Sequence, residues 1–245
     1  MAVEDILADD DTTGWAAYTV QLLGSAPDAV FTSEDYGEGY ARAMGAKHVM
    51  VDRHRVMYPC SGTMIRKDPL ACLEWVSPCM RQFYIKRVCI VGAESTGKTT
   101  LAQKLAEHYL TSWVPEYGRE YCVEKWKDGI ITDDWVSEEF ITIATEQGRR
   151  EDQAARSANK VLICDTDPFA TSIWHERYLH HRSAEVETIA STRRYDLYIL
   201  TGDEIPFVQD GQRDGEHVRH WMHERFIEAL TETNRPWVLV SGDVA

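Results

Sequence analysis

Residues 92–99 read Gly-Ala-Glu-Ser-Thr-Gly-Lys-Thr, the spacing G-x-x-x-x-G-K-T, and residues of these types in this order handle phosphate. Gly92 and Gly97 let the backbone curl so that successive N–H groups, and the start of the helix that follows, face one anion. Lys98 brings a positive charge to the outer phosphates of a nucleoside triphosphate, and the Thr99 hydroxyl is a ligand for Mg²⁺. Glu94, Ser95, Thr96 and Thr100 complete the candidate ATP cradle. Context separates such a loop from a plain glycine-rich turn. An apolar run at 88–91 leads into it, and residues 99–107 lead out with Leu101, Leu105 and Tyr109 on one helical stripe. Strand, loop and helix therefore follow in the order a P-loop needs.

The elements that must position this loop are legible in the same way. From residue 88 onward, short apolar runs at 88–91, 112–114, 161–164, 196–200 and 237–240 alternate with helical stretches. Five such runs separated by helices predict an α/β fold with a parallel sheet covered on both faces. Asp167-Pro168 reads as an N-cap with proline at the first helical position. Val218, Trp221, Met222, Phe226, Ala229 and Leu230 trace one apolar face before Asn234 and Pro236 stop the helix. Residues 1–86 differ in texture: a helix at 15–23 ended by Gly24, a strand at 29–32, a helix at 37–44 ended by Gly45, and a strand at 48–52. A junction between Gln82 and Arg87, without a Gly/Ser-rich linker, divides the chain into closely joined parts 1–86 and 87–245.

Bulk properties narrow the partners. In 245 residues, 26 Lys+Arg face 40 Asp+Glu for a formal charge of −14, which argues against broad binding to nucleic acid or to a membrane surface. Residues 1–11 are acidic and form no secretory signal, and no apolar run approaches transmembrane length. The six cysteines show no C-x-x-C pair, and Cys89 and Cys164 sit inside strand patterns as small buried thiols. A reducing cytoplasm is the expected setting.

The motifs then combine in a specific order. Residues 30–38 (Val-Phe-Thr-Ser-Glu-Asp-Tyr-Gly-Glu), Asp52-Arg53, residues 59–66 (Pro-Cys-Ser-Gly-Thr-Met-Ile-Arg), Asp68-Pro69, the P-loop, residues 115–120 (Pro-Glu-Tyr-Gly-Arg-Glu) and residues 164–167 (Cys-Asp-Thr-Asp) follow one another. This series resembles the bifunctional nicotinamide-nucleotide adenylyltransferase/ribosylnicotinamide kinase family, the NadR-like proteins, from about residue 27 to 242. The resemblance implies a P-loop kinase domain preceded by a partial, Rossmann-type nucleotidyltransferase-like domain. It implies ATP-dependent, Mg²⁺-dependent phosphorylation of nicotinamide riboside in NAD salvage, with small-molecule substrates only. Two departures stand out. The family's adenylyltransferase half opens with a G-x-F-x-P-x-H-x-G-H motif, and no H-x-G-H occurs here; Ser61, Thr63 and Arg66 are then a remnant of the nucleotide phosphate site. The chain also stops just after its last apolar run, where the family implies a further helix. Adenylyl transfer completed by other sequence or a partner, and a non-catalytic nucleotide-binding regulator, remain the alternatives.

For the kinase half, the candidate catalytic residues are Lys98, Glu116, Asp165 and Arg213. A parallel strand would deliver Asp165 to the sheet edge beside the P-loop, as the Mg²⁺-side carboxylate with Thr99; the alternative is that it starts a turn. Glu116, at the end of the second strand, is the candidate general base or hydroxyl-orienting group, with Asp165 its competitor. Tyr117, Arg119 and Asp167 are candidate substrate contacts beside Glu116, set against a surface ion pair for Arg119 and helix capping for Asp167. Residues 207–214 read as a lid carrying Arg213, with Arg219 a second candidate cation. His217, His220 and His223 recur every third residue without metal-ligand spacing and read as a solvated face; Trp113, Trp126 and Trp135 read as packing residues rather than ligands.

Overall fold

The computed structural model describes residues 7–129, 132, 134–208 and 216–242. They form two compact units, residues 1–66 and 67–245. In the first, Asp11 caps α1 (Thr12–Leu23) by accepting from the Gly14 N–H at 2.8 Å, and Gly24 ends it in the left-handed region. A β–α–β unit follows, with β1 (Ala29–Thr32) and β2 (Lys47–Met50) paired in parallel through α2 (Gly37–Met44). Glycine is required at 37, because a Cβ there would overlap the Thr32 hydroxyl and the His48 ring, which bond to each other at 2.8 Å. Phe31, Met50, Val56 and Met57 are exposed. Ser61, Thr63 and Arg66 lie together at α3 (Gly62–Lys67): Ser61 Oγ accepts from the Met64 N–H, and Arg66 donates to Thr63 Oγ1.

The second unit holds α4 (Pro78–Arg81), β3 (Lys86–Val91), α5 (Lys98–Tyr109), β4 (Trp113–Val114), α6 (Tyr117–Lys125), α7 (Ser137–Ala155), β5 (Val161–Asp165), α8 (Pro168–Leu179), α9 (Ala184–Ser191), β6 (Leu197–Thr201), α10 (Arg219–Glu232) and β7 (Trp237–Val240). Residues ahead of β3 group with it, Leu70, Leu73 and Ile85 joining its core. Its five strands are all parallel in the order β4-β5-β3-β6-β7. The five apolar runs are these five strands. A strand turns successive side chains to opposite faces, so runs apolar at every position must be covered twice. Cys89, Val91, Leu162, Cys164, Tyr198 and Leu200 meet Phe169, Ile173, Met222, Phe226 and Leu230 on one face. Val88, Ile90, Ile163 and Ile199 meet Leu101, Ala102, Leu105 and Ala106 of α5 on the other.

Two amphipathic stripes differ in detail from the pattern expected. On α5 the small residues Ala102 and Ala106 take the closest approach to the sheet, and Tyr109 is exposed. On α10, Trp221 is exposed while His223 is buried beside Met222, so the three histidines do not share a solvated face. His223 is one residue from Met222 and three from Phe226, which places it on the apolar side. At the outer edge, Val238, Leu239 and Val240 of β7 are all exposed, so this strand is covered poorly. The cysteines are free thiols, with Cys89 and Cys164 buried in the core. No helix among the described residues is long and apolar enough to cross a membrane.

Helix α7 carries the chemistry-bearing side of the sheet. Its buried stripe is Phe140, Ile143, Ala144, Gln147, Gly148, Glu151 and Ala155, apolar apart from two polar residues one turn apart. Glu151 has partners for its burial: Arg193 at 3.1 Å, Arg87 at 3.3 Å and the Tyr195 hydroxyl at 2.7 Å. These bonds pin α7 to the start of β3 and to the turn before β6. Removal from water pushes the Glu151 carboxyl up to about 7 against the pull of the two guanidiniums.

Candidate active site

The P-loop lies where the expected strand meets the expected helix. Gly92 (φ +148°), Ser95 (φ +56°) and Gly97 (φ +81°) give the backbone its curl. A Cβ at Gly92 would overlap the Thr201 hydroxyl, which sets the glycine by close approach as well as by φ. Thr96 Oγ1 donates to Ala93 O at 2.8 Å and shares a 2.7 Å hydrogen bond with Thr201 Oγ1, tying the loop to the end of β6. Lys98 is buried, and its ammonium donates to Ala93 O at 2.7 Å across the loop. Gly97 N-caps α5 without a side-chain bond, so the helix's first N–H groups face the loop interior.

Parallel strands deliver their C-terminal residues to one edge, and the carboxylates arrive there as expected. Asp165 ends β5 and is buried. Its Oδ2 accepts from Thr99 Oγ1 at 2.6 Å, whereas Oδ1 is a buried acceptor without a protein partner. Burial raises the Asp165 pKa, opposed by Lys98, the Thr99 hydroxyl and Arg119. An oxygen pair of this kind, hydroxyl plus carboxylate with one lone-pair face unused, fits a hard divalent cation held directly or through water. Glu116 follows β4 and N-caps α6 without spending its side chain on the helix. Desolvation pushes it up to about 7, with Asp165 and Glu94 adding to the rise and Lys98 and Arg119 opposing it.

One cavity of about 180 Å³ joins the P-loop to Glu116, with Asp165 bonded to the lining residue Thr99. Its lining runs from Glu94 through Thr100 to Glu116, Gly118 and Arg119, and then to a wall that no motif announced. Trp126, Trp135, Phe140, Trp174 and Tyr178 form that wall, with Cys122 and Ile143 between them. Trp135 is the hub, 5.8 Å from Trp126, 5.1 Å from Phe140 and 5.2 Å from Tyr178 between ring centroids. The indole N–H groups of Trp126, Trp135 and Trp174 are buried without a protein acceptor. Arg177 lies over the Trp174 and Tyr178 rings and donates to Glu94 Oε1 at 3.0 Å, linking the aromatic wall to the P-loop. Only the Trp174/Tyr178 pair, spaced i and i+4 on α8, carries a signal readable from sequence; the others come from separate elements. Trp126 and Trp135, read from sequence as packing residues, do pack on each other and also face the cavity.

Other expected site residues fall elsewhere. Tyr117 packs with Tyr121 and under Arg150, whose guanidinium is 4.3 Å from its ring, and is not part of the cavity lining. Glu120 pairs with Arg150 rather than with Arg119, so the neighbouring-pair alternative for Arg119 is not the arrangement formed. Asp167 is not brought to the cavity: it is buried, Oδ1 caps α8 at Ala170 N (2.9 Å) and Oδ2 accepts from the Tyr198 hydroxyl (2.7 Å). Asp167→Ala is therefore expected to cost about 2–4 kcal/mol of stability through the lost cap and the orphaned hydroxyl, with KM values unchanged; urea denaturation beside steady-state kinetics measures both. Arg213 lies outside the described residues, as does most of the segment read as a lid. Arg219 holds Ile205 O at 2.7 Å and lies over Phe207, next to the chain that leaves β6.

A family model described as an AAA domain matches residues 87–245. The chain belongs to this family. Curated relatives match over most of this chain. The Trifunctional NAD biosynthesis/regulator protein NadR of Escherichia coli (strain K12) is 32% identical over 223 residues, covering 90% of this chain and 54% of the relative. The protein of the same name from Salmonella typhimurium is 31% identical over 220 residues, covering 89% and 53%. The NadR-like resemblance is thus borne out, and the chain spans about half the length of the curated relatives it matches. Crystal structures of NadR protein in complex with NR, and with NAD and AMP-PNP, superpose with TM-scores of 0.73 and 0.68. They cover 98% and 99% of this chain and 70% and 71% of the solved chains, at 21% and 22% identity, a likeness of fold.

Proposed function

We propose that this chain transfers the γ-phosphoryl group of ATP to the 5′-hydroxyl of nicotinamide riboside, giving nicotinamide mononucleotide and ADP. The observation that carries the reading is the aromatic wall sharing one cavity with a complete P-loop and Glu116. A P-loop alone says nothing of the acceptor. A cavity of indole and phenol faces with Glu94 and Glu116 beside them favours a flat, positively charged ring, as a pyridinium nucleoside carries. The curated relatives named for NAD biosynthesis and the solved NadR complex with NR support the same acceptor.

In this reading the P-loop N–H groups and Lys98 hold the β- and γ-phosphates. Glu116 orients the ribose hydroxyl and takes its proton as the O–P bond to the γ-phosphorus forms and the bond to the ADP oxygen breaks. Thr99 and Asp165 would hold Mg²⁺, which neutralises charge on the phosphates when bound. Water is kept from the transfer by the wall, and most of the rate comes from positioning and charge. The remnant motif Ser61, Thr63 and Arg66 takes no part.

The test is ADP release by the purified chain with ATP and Mg²⁺, with and without nicotinamide riboside, with chromatography of the product. Nicotinamide mononucleotide formed in step with ADP is the expected result; ATP binding without riboside-dependent ADP would sink the proposal in favour of a binding module. Trp126→Leu is expected to raise the riboside KM roughly tenfold while the ATP KM stays constant, the equivalent of one lost ring contact. An unchanged riboside KM would remove Trp126 from the acceptor site.

A further inference from the structure

Gln147 is a polar side chain on the buried, otherwise apolar stripe of α7, 1% exposed, in the cavity wall and with no place in the reaction described above. A buried amide is retained only where its hydrogen bonds are made, so its partners show its use. Its Oε1 accepts the backbone N–H of Tyr117 at 2.9 Å, and its Nε2 donates to the backbone carbonyl of Thr166 at 3.4 Å. Those partners are the residues directly after Glu116 and directly after Asp165. One amide thus bridges the two turns that present the two carboxylates.

Both turns need such support. Strand β4 is two residues long, so Glu116 leaves a short ladder and enters α6 at once. The first N–H groups of a helix have no partner within it, and an N-cap side chain commonly satisfies one. Glu116 does not do so, and its carboxylate lines the cavity, while the Tyr117 N–H at the first helical position is satisfied from α7. Thr166 sits at φ +65°, a left-handed conformation for a residue with a β-branched side chain, and needs fixed neighbours to stay there. Its N–H is held by Ile90 O at 3.0 Å and its C=O by Gln147. The amide also fits the task chemically, since it both accepts and donates without adding charge beside two acids.

We propose that Gln147 is a positioning residue that sets the separation and aim of Glu116 and Asp165 by capping α6 from α7. The proposal rests on the phosphoryl-transfer reading for its kinetic effect. Gln147→Leu keeps the volume and removes both bonds; Gln147→Glu keeps an acceptor for Tyr117 and loses the donor to Thr166. The expected result for Gln147→Leu is a fall in kcat of roughly 10–100-fold, the scale of a carboxylate misplaced by about an ångström, with the ATP KM within about twofold. The same substitution in a Glu116→Gln background is expected to cost less than about threefold, since a residue acting through Glu116 has little left to act on. Wild-type turnover in Gln147→Leu, or an equal loss in both backgrounds, would overturn the proposal. Should Gln147→Leu fold poorly, Gln147→Met, which likewise lacks both bonds, takes its place with the same two outcomes. Amide exchange at Tyr117 separates this idea from the acceptor assignment. Exchange at least about tenfold faster in Gln147→Leu supports the cap even if riboside is not the acceptor, and unchanged exchange rules the cap out whatever the acceptor is.

Discussion

Lys98→Met is expected to lower kcat/KM for ATP-dependent turnover by about 10³-fold or more, with the fold intact. The ammonium is buried, spans the P-loop to Ala93 O, and is the leading charge acting to keep both Glu116 and Asp165 ionised. Its loss therefore removes a donor clamp on the phosphates and raises the pKa of both carboxylates together. A fixed charge aimed at a transferring phosphoryl group in a dry site contributes about 3–4 kcal/mol to the transition state, and the carboxylate effect adds to that. Methionine keeps most of the stem's packing, so the unfolding midpoint in urea should stay near wild type. Residual turnover above about a tenth of wild type would mean that the loop does not hold the reacting phosphates.

Glu116→Gln is expected to cut kcat by roughly 10²–10³-fold and to change the pH profile. With the Glu116 carboxyl near 7, wild-type kcat/KM should climb with pH through that value, because the base acts only when ionised. The glutamine variant should lose that limb. The stability effect runs the other way. The folded-state pKa is raised above the unfolded value, so between about 4.5 and 7 the native chain holds a proton that the unfolded chain has released, and stability falls as pH rises across this window. Glutamine carries no such penalty, so at pH 8 the variant should unfold at a higher temperature than wild type. A variant both slower and less stable at pH 8 would show that Glu116 is held by partners rather than strained by burial. Calorimetry at pH 5 and pH 8 beside a kinetic pH series distinguishes these cases.

Much of this is legible in the amino-acid order, and the reason is local chemistry. A strand that is apolar at every position, such as 88–91 or 161–164, has one stable use, and glycines such as Gly24 and Gly45 end helices because few other residues take their backbone angles. The P-loop and the Thr99–Asp165 bond follow from topology, since a parallel sheet delivers strand ends to one edge. The aromatic wall was not legible. Trp126 closes α6, Trp135 and Phe140 flank the start of α7, and Trp174 and Tyr178 belong to α8, so their meeting is a product of tertiary packing with no sequence period. Asp167 stands beside Asp165 in the motif, but the left-handed turn at Thr166 breaks the alternation that would set residues 165 and 167 on one face, so its carboxylate enters the cap of α8, the alternative use that its place before Pro168 offers. Gln147 was hidden by its type, because a glutamine on a helix ordinarily faces water.

The bond between Thr96 and Thr201, with Gly92 pressed against the same hydroxyl, has a bearing on how nucleotide arrives. Because the loop is fastened to β6 by the protein's own groups, its segment spends little entropy on ordering when phosphate binds. Association should then run at a rate governed by encounter, little slowed by rearrangement, and a free energy of binding drawn from polar contacts should appear chiefly as heat. Isothermal titration of an unreactive ATP analogue into wild type and Thr201→Val would read the heat and stopped-flow mixing the rate, the variant binding with a larger entropic penalty and a slower on-rate.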